Sequence, residues 1–245
     1  MQNRLSLFAL ALFSCSAFAA APHWTYEGAH GPAHWSQIAP EFKECALGHA
    51  QSPIDIRAAR TDARAPELGF HYTAQALRIV NNGHTVQVNE DGGMLDIGGH
   101  PYRLAQFHFH TPSEERIHGR AYDMVAHLVH KDDAGKLAVV AVLFRRGAAN
   151  PALDPLLANM PLGEGPEHRV DAVNFDAASL LPAKHGYYHF AGSLTTPPCS
   201  EGVAWYVLKD PVTVSAAQLA QLHKLYNHNN RPVQALNGRS VIEHP

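Results

Sequence analysis

Gln106-Phe107-His108-Phe109-His110 alternates aromatic and polar side chains with the period of two that a half-buried β-strand imposes. Phe107 and Phe109 turn to one face, the core, and His108 and His110 turn together to the other. Downstream, Val125-Ala126-His127-Leu128-Val129 reads as a second strand on which His127 shares its face with Val125 and Val129. Working outward, residues 77–80, 85–88, 102–110, 124–130, 137–144, 187–190 and 203–208 are rich in β-branched and aromatic residues and are expected strands. Asn82-Gly83 between two of these runs predicts a tight hairpin turn. Asp91-Gly92-Gly93 and the stretch from Asp132 to Gly135 punctuate others.

Helix signals are few. Ser215 and Gln218 form a capping box ahead of Leu219, Leu222 and Leu225, which recur at helical spacing, and a short helix is expected from Asp154 to Asn159. Strands neither alternate regularly with helices nor repeat at a fixed period, which excludes a doubly wound sheet and a propeller. The fold class is therefore α+β and sheet-dominated. With 245 residues, 46% hydrophobic and 17% charged, the chain fits one domain with a full core. A net charge of -3 offers no basic stripe, so nucleic acid is excluded as an expected partner.

Arg4, an apolar run over 5–13, and Ala17-Phe18-Ala19 have the layout of a secretory signal peptide, residues 1–19, with cleavage after Ala19 or Ala21. The remaining domain, 22–245, is then expected to be periplasmic or secreted. Cys15 as a lipid-attachment site is the competing reading, and the bulky Phe13 speaks against it. The run is too short to span a bilayer, and no later stretch approaches the roughly 20 apolar residues that a transmembrane helix needs. Export leaves Cys45 and Cys199 as an even pair in an oxidising compartment, and a disulfide between them is expected.

Three imidazoles from two strands, His108, His110 and His127, leave a fourth tetrahedral position open, which is the arrangement of a catalytic rather than a structural zinc site. Gln106, Glu114 and Thr195 are polar candidates around them. Several strings extend this reading: QSPIDI at 51–56, NNGH at 81–84, QFHFH at 106–110, AHLVH at 126–130, SLTTPPCSEGVAW at 193–205 and NRPVQ at 230–234. Together, and in this order, they resemble the α-class carbonic anhydrases of the bacterial periplasmic type, from about Trp24 to the C-terminus.

The resemblance implies a large, mainly antiparallel twisted sheet with one Zn2+ per chain at the bottom of a cone-shaped cleft. It implies reversible hydration of carbon dioxide to bicarbonate and a proton by attack of zinc-bound hydroxide. His108, His110 and His127 would be the metal ligands, with Gln106 holding His108. The Thr195 hydroxyl would accept a hydrogen bond from the nucleophile and donate one to Glu114, which orients without ligating. Val129, Val139, Leu194, Val203 and Trp205 would form the hydrocarbon wall for carbon dioxide, and Thr196 would contact bicarbonate. His84 matches the proton-shuttle position, and Tyr26, Asn82 and Gln87 match residues that order intervening water. Sulfonamides and anions are expected inhibitors, and a homodimer is compatible with the resemblance.

One position departs from the pattern. Val125 stands where relatives carry a glutamate that holds the third histidine's other nitrogen, so His127 is expected to use water or another acceptor, with zinc held more loosely. Two rival readings compete. His108-x-His110 followed by Glu114 also fits the core of a cupin metal site, but Tyr102 and Ala121 stand where that pattern needs glycines. A non-catalytic binding member of the family is the other, and retention of all three histidines argues against it.

Overall fold

The computed structural model describes residues 22–245; the expected signal segment 1–19, its cleavage points after Ala19 and Ala21, and Cys15 lie outside the described residues. The strands begin with β1 Asp55–Ile56, β2 Arg60–Thr61, β3 Leu68–Tyr72, β4 Gln75–Asn81, β5 Val86–Asn89, β6 Gly93–Ile97, β7 His100–His110 and β8 Arg116–Ile117. They continue with β9 Arg120–Ala121, β10 Met124–Lys131, β11 Leu137–Arg146, β12 His168–Phe175, β13 Tyr187–Ser193, β14 Glu201–Leu208, β15 Val212–Val214 and β16 Ile242–His244. The α-helices are short: α1 Trp35–Ile38, α2 Glu44–Leu47, α3 Asp154–Ala158 and α4 Ala216–Leu222. None of the described helices is long and apolar enough to cross a membrane.

The large sheet runs β12-β4-β5-β7-β10-β11-β14-β13-β16-β2, with β15 on β11 and β6 bridging β3 to β7. Most pairings are antiparallel; β11 with β14, β11 with β15 and β16 with β2 are parallel. A second, small sheet has the order β1-β8-β9, and its β8 begins directly after Glu114 and Glu115. The Asn82-Gly83 turn joins β4 to β5: Asn82 Oδ1 accepts from the backbone N–H of His84 and of Thr85, both at 3.0 Å, and Gly83 takes the left-handed φ of +86°.

The period-two pattern splits the core into two faces. Phe107, Phe109, Ala126, Leu128, Val140 and Val142 pack on one side of the sheet with the helices. Val125, Val139, Ala141, Leu143, Val203 and Trp205 pack on the other. A third cluster, Trp24, Trp35, Phe42, Cys45 and Cys199, closes the N-terminal segment against the body, and Cys45 is disulfide-bonded to Cys199. The capping box forms as the sequence requires, with the Ser215 side chain accepting from the Gln218 N–H and Gln218 returning a bond to the Ser215 N–H. The helix stops at Leu222, one turn short of Leu225.

Candidate metal centre

Adjacent strands deliver the three histidines. In the antiparallel register of β7 and β10, His127 lies directly opposite His108, and Val125 lies opposite His110. One ligand-capable nitrogen from each ring falls within 4.8 Å of the others. His110 and His127 are 1% exposed, whereas His108 is partly buried.

Each ring has one nitrogen occupied. His108 Nδ1 meets Gln106 Oε1 at 2.8 Å, so its N–H points there and Nε2 carries the lone pair. His110 Nδ1 donates to the backbone carbonyl of Asn229 at 2.6 Å, and its Nε2 is buried without a partner. His127 is reversed: Nε2 lies 3.1 and 3.2 Å from the two oxygens of Glu115, which frees Nδ1. Two Nε2 lone pairs and one Nδ1 lone pair thus face a common point. A buried imidazole acceptor left unpaired costs free energy unless something occupies it, and a dication is the group this donor set fits.

Electrostatics keep two of these rings neutral and ready to ligate. Burial, followed by the neighbouring His127, pushes His108 down to about 3. Burial, with His127 and His108 adding, holds His110 well below its ordinary value. For His127 burial works the same way, but the charge and hydrogen bond of Glu115, then Glu114, outweigh it and raise its pKa.

Glu114 sits beside the triad, with Oε2 3.6 Å from His110 Nε2 and 3.8 Å from His127 Nδ1. Its Oε1 accepts the backbone N–H of Arg231 at 2.7 Å, while Oε2 has no hydrogen-bond partner. Burial pushes its pKa up to about 7; His127 opposes, Glu115 adds, and the Thr195 hydroxyl and the Arg231 N–H favour the ionised form. Thr195 is held on a loop closed by Leu194 N–H to Ser200 O at 2.9 Å and Cys199 N–H to Thr196 O at 2.8 Å. Thr196 is in the same loop, which the disulfide and a Gln51 Nε2 bond to Cys199 O at 3.0 Å tie down.

Val139, Val203 and Trp205 belong to one apolar cluster, and Val129 and Leu194 pack against it. The Trp205 ring lies 4.9 Å from the His127 ring, so this hydrocarbon surface borders the triad. His84 is half-buried on the β4–β5 turn, stacked face to face on Trp24 with ring centres 3.6 Å apart. Asn82 Nδ2 donates to Gln87 Oε1 at 3.3 Å, and Gln87 pairs in register with His108. Tyr26 is close enough to Glu114 to feel its charge.

Four contributors escaped the sequence reading: Glu115, Asn229, Arg231 through its main chain, and Trp24. The first is the acceptor that the Val125 departure called for. His127 does turn to another acceptor, and that acceptor is a carboxylate reaching in from the loop before β8. A second carboxylate directly after Glu114, ten positions before a valine where a carboxylate was missing, was the available signal.

A floor of sheet and three converging imidazole lone pairs, with no fourth protein ligand among the described residues, place the molecule among the mononuclear zinc enzymes rather than the structural zinc proteins. Comparison with known proteins narrows that class. The family model described as eukaryotic-type carbonic anhydrase matches residues 30–245, and the chain belongs to this family. A carbonic anhydrase of Klebsiella pneumoniae is 46% identical over 246 residues, covering 98% of each chain. The solved α-carbonic anhydrase of Thermovibrio ammonificans, in complex with the inhibitor sulfanilamide, superposes with a TM-score of 0.87 at 43% identity, covering 91% of this chain and all of that one. That of Photobacterium profundum superposes at 0.84 with 45% identity over 90% of this chain and all of that one. The activity is the reversible hydration of carbon dioxide, with zinc as cofactor.

Proposed function

We propose that His108, His110 and His127 hold the zinc, that Thr195 and Glu114 orient the attacking oxygen, and that His84 carries the released proton outward. The observation that carries this reading is the set of occupied ring nitrogens, which leaves one lone pair per histidine turned inward, with His110 Nε2 buried and unpartnered. Bound zinc supplies a Lewis acid that lowers the pKa of a coordinated water to about 7. Thr195, donating its hydroxyl hydrogen to Glu114, is left as an acceptor; it selects an approach in which the nucleophile's hydrogen points at Thr195 and a lone pair at the substrate.

Carbon dioxide is small and apolar, and the surface of Val129, Val139, Leu194, Val203 and Trp205 offers it a place without competing hydrogen bonds. Bicarbonate is polar and charged, and Thr196, with its backbone and hydroxyl, is suited to it. Burial and His23 lower the His84 pKa, against Glu164, so the ring is neutral near pH 7 and able to accept the proton. Tyr26, Asn82 and Gln87 order the water between. The domain proposed is 22–245, delivered to the periplasm or secreted after removal of 1–19; sulfonamides and anions are expected to inhibit it.

Stopped-flow hydration of carbon dioxide by zinc-loaded protein, with and without a sulfonamide, tests the assignment. Activity abolished by the inhibitor and lost with zinc in His127→Ala is expected. In Glu114→Ala, zinc stays and turnover falls; release of the metal by that variant would overturn the orienting role and favour a cupin-like ligand.

A further inference from the structure

Val125 is fully buried two residues before His127, on the same face of β10, among Val139, Leu143 and Trp205. Nothing in its side chain can accept the imidazole N–H. Glu115 comes from a different element. It sits in the Thr111–Glu115 loop, where the Ser113 N–H donates to Tyr122 O at 3.0 Å, Ser113 Oγ donates to Glu115 O at 2.8 Å and the Arg116 N–H donates to Ile54 O at 3.2 Å. The main chain on both sides of Glu115 is thereby fixed, and its side chain, 0% exposed, meets His127 Nε2 with both oxygens. Among the described residues no other side chain bonds this carboxylate. The Glu114-Glu115 pair therefore approaches one imidazole from both sides: Glu115 at Nε2, and Glu114 3.8 Å from Nδ1.

We propose that Glu115 is the positioning carboxylate of the metal centre, fixing the His127 tautomer and ring orientation from the loop in place of a carboxylate on the β10 strand face at Val125. The two positions are an exchange: one site on the imidazole, one carboxylate, two places in the chain from which it can be supplied. The proposal rests on His127 being a zinc ligand. A ring N–H held by a buried carboxylate raises the basicity of the ligating nitrogen, and losing such a partner costs about 10- to 100-fold in metal affinity. Val125→Glu alone adds a second carboxylate against a ring that already has one, and two buried like charges repel.

The test is the zinc dissociation constant, measured by chelator competition on metal-free protein, alongside the thermal melt of the same samples. Glu115→Ala is expected to weaken zinc about 10- to 100-fold. Val125→Glu alone is expected to lower the melting temperature without tightening zinc. The double variant Val125→Glu/Glu115→Ala is expected to recover most of the lost affinity, which a merely structural role for Glu115 would not produce. Zinc held as tightly by Glu115→Ala as by wild type, or no recovery in a folded double variant, overturns the proposal. Should Glu115→Ala fail to fold, Glu115→Gln keeps the volume and loses the charge, and unchanged affinity there overturns it equally. Wild-type protein that binds no zinc would instead sink the ligand assignment itself, which separates the two failures.

Discussion

His84 shows how much one side chain's neighbours decide. Stacked on Trp24 and half-buried, it is held below its ordinary pKa by burial and by His23. His84→Ala is expected to lower kcat in weak buffer, to leave kcat/KM intact and to be rescued by added imidazole; equal losses in both parameters would make the residue structural. At this scale the histidine trio was legible because a period of two fixes which side chains share a face before any contact is known. Glu115 was not legible as a partner of His127: it lies 12 residues away on a different element, and only the loop's main-chain bonds bring it round. The aromatic stack on His84 was hidden for the same reason, since Trp24 is 60 positions earlier in the chain.

Among the elements, the strands on either side of the metal centre could be read because their apolar faces are continuous. β12 could not. Its sequence His168–Phe175 is mostly exposed along the sheet edge and lacks alternation, and its pairing with β4 shifts register between Val170 and Asn174. β3 and β6 carry glycines and few branched residues, so they too gave no signal. The α4 capping box was plain from Ser215 and Gln218. Ser215→Ala is expected to cost about 1 kcal/mol in urea unfolding, with zinc affinity unchanged. At the end of β5, Glu90 is 7% exposed with its carboxyl bonded to Gln75. Burial, then Asp91 and Asp176, push its pKa to about 8, with Arg78 opposing. The fold thus keeps a proton that the unfolded chain releases near pH 4.5, and stability falls as pH rises through that window. Glu90→Gln is expected to melt above wild type at pH 8.5, with the gain shrinking toward pH 5; a constant difference across that range would rule out the linkage.

Taken whole, the molecule depends on long-range closures. The Cys45–Cys199 bond spans 154 positions and anchors the loop that carries Thr195. Cys45→Ser/Cys199→Ser is expected to lose about 2–5 kcal/mol of unfolding free energy, read from urea titration under oxidising conditions. Buried Arg231 binds Cys45 O, Ser52 O and Gln51 Oε1 with its guanidinium while its N–H serves Glu114, so the N-terminal segment, the orienting carboxyl and the C-terminal run converge on one residue.

Asn229 goes further. Its backbone oxygen holds the His110 ring, and its side chain bonds the main chain at His84, Phe109 and Thr111. The aim of the His110 ring is thus set by a residue 119 positions further along the chain. A chain whose late segment has not yet closed against β7 owns the histidine without its orientation. Tight metal capture is therefore a report on tertiary closure, made at a single imidazole.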